Sequence, residues 1–264
     1  MLIRYIAFIL SGLSVLTSCK GEPKAETAAA TEEAVEAPAQ SLSKYSGFWL
    51  SESYVNAIKN LKSVDSATFV YESLVLAIEI TPDTISNKSA NTKFYWHSES
   101  SFEKMYPDES QSLQYKPRHE GGPLKSFTLA LKNPDRIEIT LADTGKKECY
   151  LRFKNENQAL NQLLFAEKYR DAITNAAIEL TEDGKVDGIP GLITYNPVFQ
   201  FDESNIEGVD VLFFYNGEKR SEKMGYDYQL AYQYKFEGDT LKLYEVPEDY
   251  GIEPGTVKYK LVKR

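Results

Sequence analysis

The chain has 264 residues, with 39 acidic against 30 basic side chains and a formal charge of −9. That balance, with no long Lys/Arg run, excludes the phosphate neutralisation on which nucleic-acid binding rests, and it gives no broad electrostatic hold on anionic lipid heads. Two histidines and two cysteines leave too few soft ligands for a zinc centre.

Arg4 is followed by twelve mostly apolar, uncharged residues, Tyr5 to Leu16, and then by Thr17-Ser18-Cys19-Lys20. This is the length of a signal-peptide core and is short of the roughly 20 apolar residues that span a bilayer. Leu16-Thr17-Ser18-Cys19 resembles the lipobox of bacterial lipoproteins. The resemblance implies removal of residues 1–18 and acylation of Cys19 with palmitate-type chains, which anchor the protein in a membrane. Lys20 stands where an Asp would retain a lipoprotein at the inner membrane, so the resemblance implies the outer membrane, with the leaflet open. Loss of the leader takes away one positive charge and moves the balance from −9 to −10. Cys149 is then the one remaining free thiol.

Lys20 to Ser43 hold seven Ala, five Glu, two Pro and no aromatic residue, a composition that cannot bury enough apolar surface to offset ordering entropy. Residues 19–43 therefore read as the lipidated Cys19 and a tether, reaching roughly 25 to 30 Å as a flexible coil. Folded sequence is expected from about Tyr45. Helical spacing occurs at Tyr54, Ile58 and Leu61 behind a cap at Ser53, and again at Leu160, Leu163 and Leu164.

Period-two alternation dominates elsewhere, as half-buried antiparallel strands produce it. It runs through Leu74 to Ile80, Phe127 to Leu131, Ile137 to Leu141, Cys149 to Phe153, Val209 to Tyr215, Tyr228 to Phe236 and Val257 to Leu261. In the sixth run Tyr228, Leu230, Tyr232, Tyr234 and Phe236 share one face, and Gly238-Asp239 turns the chain into Leu241 and Leu243. Cys149, Leu151 and Phe153 are expected on an inner face. The fold class is mainly β: antiparallel meander sheets or lipocalin-like barrels with one or two short helices. Lys154 to Gln158 is the expected boundary between bodies at 44–155 and 156–264, with a single larger β body as the competitor.

Gly47-Phe48-Trp49 resembles the G-x-W opening of lipocalin-like (calycin) proteins, in which the tryptophan closes one end of a barrel. Lys168-Tyr169, the Asp183-Gly184 turn and Leu241-Lys242-Leu243-Tyr244 resemble small lipocalin-like modules of bacterial lipoproteins. The resemblance implies a barrel able to enclose a small apolar ligand, and Trp49, Tyr95, Trp96, His97, Tyr228, Tyr232 and Tyr234 are the candidate contacts. The alternative is that these rings simply fill the core. Phe94-Tyr95-Trp96-His97 places aromatic groups on both faces of one strand, so that one pair is either a contact surface or a second packed face.

Elimination removes most chemistry. No G-x-S-x-G elbow or phosphate-cradling glycine loop exists, and His97 and His119 are isolated. Glu182 to Gly188 resembles a calcium loop only superficially, because Lys185 takes a ligand position and Thr194 replaces the bidentate Glu. The expected protein is a non-enzymatic, cofactor-free and metal-free envelope lipoprotein. Its β body binds a small apolar ligand or a protein partner; the alternatives are an assembly subunit without a pocket and, less favoured, a hydrolase.

Overall fold

A computed structural model describes residues 42–70, 75–82, 88–96, 99–108, 112–117, 125–199, 208–216, 230–246 and 253–264. The lipobox with Cys19, most of the tether, His97, His119 and Tyr228 lie outside them. The fold is mainly β, built from two eight-stranded antiparallel sheets.

The first sheet follows chain order. Its strands are β1 Gly47–Ser51, β2 Ala77–Pro82, β3 Ala90–Trp96, β4 Glu99–Pro107, β5 Leu113–Tyr115, β6 Phe127–Asn133, β7 Arg136–Leu141 and β8 Lys147–Phe153. β8 pairs back onto β1, with Trp49 opposite Arg152, so this barrel is closed. Between β1 and β2 lie two helices, α1 Glu52–Leu61 and α2 Val64–Val70. α1 is capped by Ser51, the last residue of β1 and two before the expected Ser53. The Ser51 hydroxyl accepts from the Tyr54 amide and donates to Glu148 Oε1 at 2.7 Å, bonds that Ser53 does not make. α2 has little sequence signal because its buried stripe is Val64, Ala67 and Thr68, with only one large apolar residue.

A short helix, α3 Glu156–Leu160, continues as a π-helical turn over Asn161–Phe165 and leads into the second sheet. Its strands are β9 Glu167–Asp171, β10 Ala177–Leu180, β11 Val186–Asp187, β12 Thr194–Pro197, β13 Val211–Tyr215, β14 Leu230–Glu237, β15 Thr240–Glu245 and β16 Val257–Lys263. β16 pairs with β9, so the order is again that of the chain. The seam lies between β11 and β12, which meet through the single bridge Lys185–Thr194 and the bonds Val186 N–H to Ile193 O and Tyr195 N–H to Gly184 O.

Side-chain alternation fills both barrels. Inside the first are Trp49, Ile78, Phe94, Met105, Leu129, Ile139 and Tyr150 among others, joined by Leu42 and Tyr45 from the segment before β1. Leu42 is buried, so the folded body starts earlier than Tyr45 and the last residues assigned to the tether belong to it. Inside the second are Tyr169, Ile178, Tyr195, Phe214, Tyr232, Tyr234, Leu243 and Leu261. That core continues without a break into Tyr54, Val55, Ile58, Val64 and Ala67 of α1 and α2, and into Phe48, Leu50, Ala77 and Tyr95 on the outside of the first barrel. The strands divide around residues 154–158, and the apolar interior crosses that division.

Two strand faces differ from expectation. Cys149 is half-buried on the outside of the first barrel, not inside, because Tyr150 takes the interior position; Leu151 and Phe153 share the outer face and pack under the helices. In β14, Leu230, the first residue of the strand, is exposed, and Gln233 is buried on the outer face, where Ala231 packs against a satellite cluster of Val198, Val209, Val211 and Phe213.

Candidate functional site

The G-x-W segment forms a plug. Trp49 is wholly buried in the first barrel, and its indole N–H donates to Tyr45 O at 2.9 Å, back across the turn that precedes β1. The Arg152 guanidinium lies 4.4 Å from the Trp49 ring centroid and donates to Lys44 O. Gly47 has φ +141°, a conformation that a side chain resists, and the stem of Arg152 passes 3.6 Å from where its Cβ would be. The second barrel repeats the device: Tyr169 is fully buried in β9, and its hydroxyl donates to Phe165 O at 3.0 Å, again four residues back. Lys263 stands opposite Tyr169 in the register, as Arg152 stands opposite Trp49.

The other candidate residues separate into these two interiors. Phe94 and Trp96 face into the first barrel, Trp96 half-buried. Tyr95 points the other way and is 5 % exposed, wedged edge-on against Phe48 at 6.0 Å, with its hydroxyl donating to Glu79 Oε2. Tyr232 and Tyr234 are both 4 % exposed inside the second barrel, amid Phe214, Phe165 and Tyr259. Burial pushes the Tyr232 hydroxyl up to about 12 and Tyr234 well above its ordinary value. The described candidates therefore belong to two packed cores and do not converge on one site.

Among the described residues, rings and aliphatic side chains pack closely inside. The cavity bordered by Phe127, Ile139, Leu141 and Tyr150 in the first barrel holds about 10 Å³, close to the room that one water needs. Around Phe165, rings pack edge to face at 4.9 Å with Tyr234 and 6.1 Å with Tyr195.

The outer surface is different. Phe102 is 76 % exposed and Tyr106 56 %, on the same outward face of β4 as Lys104, with Lys93 reaching over the Phe102 ring from β3. Sequence reading missed this face because β4 is rich in charge and serine. The signal was the alternation of Phe102, Lys104 and Tyr106 against inward Met105.

A half-buried carboxylate joins the barrels. Asp210, just before β13, accepts from the amides of Val64 and Asp65, both at 2.9 Å, and so caps α2 from the other barrel. Burial pushes Asp210 above the usual carboxylate range, against the lowering effect of the Ser63 hydroxyl and these two amides. In the Asp183-Gly184 turn, Lys185 Nζ sits 2.5 Å from Asp183 Oδ2, and the Thr181 hydroxyl donates to Asp183 Oδ1. Lysine thus occupies the side of the turn where a calcium loop would need oxygen.

Comparison with protein-family models, with curated proteins and with solved structures finds no match for this chain. Among the described residues, no three or more of His, Cys, Asp and Glu gather in a way that could hold a metal ion, and no helix is long and apolar enough to cross a membrane.

Proposed function

We propose that this chain is an outer-membrane lipoprotein, anchored through acyl chains on Cys19, whose two barrels form a rigid body that binds a protein partner on its outside. The observation that carries the choice of partner is the contrast between the filled interiors and the exposed Phe102–Lys104–Tyr106 face of β4. Exposed rings with few rotors are efficient anchors, and clustered apolar surface on a soluble face marks contact sites. The lipobox and the tether supply the anchor and the reach. The Trp49–Arg152 plug supports the lipocalin-like reading of the barrel, and the ring-filled cores favour a protein partner over an apolar ligand inside.

Photocrosslinking tests this reading. A benzoyl-phenylalanine at position 102 or 106, in cells making the full chain, is expected to give one discrete protein adduct that is missing when the probe replaces exposed Lys168. The reading fails if neither position crosslinks and native mass spectrometry finds a lipid retained in the body. Mass spectrometry of the mature N-terminus tests the anchor: Cys19 is expected to be lipid-modified at its thiol and at its new amine, and to carry no residues before it.

A further inference from the structure

The wall of the first barrel is thin at one place. β4 runs for nine residues, Glu99–Pro107, whereas β5 has three, Leu113–Tyr115, and the two strands pair only at Tyr106–Gln114 and Pro107–Leu113. Among the described residues no strand lies beside Glu99–Met105 on that side, although β3 pairs with the whole stretch on the other. We infer that this edge of β4 takes a short extended segment of the protein partner as an added strand, one that carries a carboxylate close to an aromatic or β-branched side chain. The inference rests on the reading of β4 as the partner-binding face and says how the partner is held there.

The direction of the backbone groups carries the inference. Asp108 N–H donates to Ser112 O at 2.9 Å, across to the β5 side. Backbone groups alternate sides along a strand, so those of Tyr106, Lys104, Phe102 and Ser100 point the same way, while Ser101, Glu103 and Met105 hold the ladder to β3. Tyr106 meets Gln114 of β5; Ser100 and Phe102, both exposed, face no strand among the described residues. A row of such N–H and C=O groups is a template for a further strand. Burial changes along β4 in step with this: inward Met105, next to the paired end, is wholly buried, whereas inward Ser101 and Glu103 are only half-buried. The outer side chains set the chemistry of the segment. Lys93 and Lys104 point outward from β3 and β4, and among the described side chains of these two strands no carboxylate does, on a chain whose formal charge is −9. Phe102 has the Lys93 ammonium 5.4 Å from its ring centroid on the β3 side and the open edge on the other. An added strand places its own side chains beside Phe102 and Lys104, where aromatic or β-branched groups and opposite charges make the favourable cross-strand pairs.

The test uses the benzoyl-phenylalanine probe at position 106, whose backbone already pairs with β5, in cells making the full chain. Ser100→Pro removes the edge-side N–H and leaves the β3 ladder, the Phe102 ring and Lys104 in place. It is expected to lower the yield of the adduct about tenfold, the weight of one backbone hydrogen bond, while Ser100→Ala keeps the wild-type yield. Strand addition is overturned, and the reading of β4 as the partner face survives, if Ser100→Pro crosslinks as well as Ser100→Ala. If the unsubstituted chain gives no adduct from position 102 or 106, that reading fails and strand addition falls with it. Amide hydrogen exchange keeps the test decisive where Ser100→Pro does not fold. The Ser100 and Phe102 amides are expected to exchange as fast as exposed loop amides in the full chain alone and to be protected in the purified adduct. Slow exchange in the chain alone, or no added protection in the adduct, overturns the inference.

Discussion

Trp49 shows how one side chain can be held at three points: by its own N–H, by a cation above its ring and by the barrel wall. Its replacement by Ala is expected to cost about 3–5 kcal/mol, as large-to-small changes of buried aromatics do, measured by urea unfolding. Arg152→Lys should cost less but more than a surface change, because an ammonium cannot lie flat on the indole while reaching Lys44 O. Gly188 is the position at which a backbone argument is sharpest: φ is +86°, and a Cβ would come 1.9 Å from Ala177 O. Gly188→Ala should destabilise by well over ~1 kcal/mol, and a shift in thermal midpoint would record it. Two carboxylates titrate in opposite senses. Asp210 is raised by burial, so its stabilising contribution is fully present at pH below the ordinary carboxylate range and is lost as pH rises through its raised value. Burial also pushes Asp171 up, but the Thr174 hydroxyl and the amides of Lys260, Ile173 and Thr174 more than offset it and hold the group low. Its contribution is present above the ordinary range and lost as pH falls through the lowered value. Unfolding of wild type, Asp210→Asn and Asp171→Asn across pH should show the first variant gaining on wild type toward neutrality and the second gaining toward acid.

At the scale of elements, the strands with a clean polar–apolar alternation were legible: β6, β7, β14, β15 and β16 lie within two residues of their sequence ranges. What alternation alone could not show was which face meets solvent. Gln233 is buried because the outer face of β13 and β14 also carries apolar residues, and Leu230 is exposed at the very start of β14. Strand β3 poses the same problem in reverse: Phe94 faces in, while Tyr95 faces out and is nevertheless covered, because the helices and the second barrel press on that side. β4 escaped notice because charged residues and serines interrupt its apolar ones, and α2 because its burial rests mostly on small side chains. Helix α1 is pinned at both ends, by Ser51 at its start and at its end by left-handed Lys62, whose ammonium donates to Gly238 O in the other barrel at 2.5 Å. Lys62→Ala should therefore loosen the β14–β15 turn, with faster amide exchange near Gly238 as the readout.

For the whole molecule, the barrels do not have separate interiors: the second is roofed by helices that belong, by sequence position, to the first. A shared apolar core predicts that calorimetry records one cooperative transition for both barrels, and two well-separated peaks would refute it. This sharing was not legible, since nothing local in Tyr54, Ile58 or Val64 says which sheet they will cover. The candidate aromatics were legible as aromatics, but their role was decided by closure of the barrels, which turns every inward ring into filling.

Because β9 pairs with β10 on one side and with β16 on the other, the second ring is completed by residues made almost a hundred positions after its first strand. Its roof, residues 52–70, is synthesised earlier still and emerges before there is anything beneath it. A chain halted after residue 256 would present two naked backbone edges, on β9 and β15, under a finished canopy, and such edges recruit one another. Arrest or proteolysis just upstream of Val257 should therefore yield aggregates in place of a shorter soluble species.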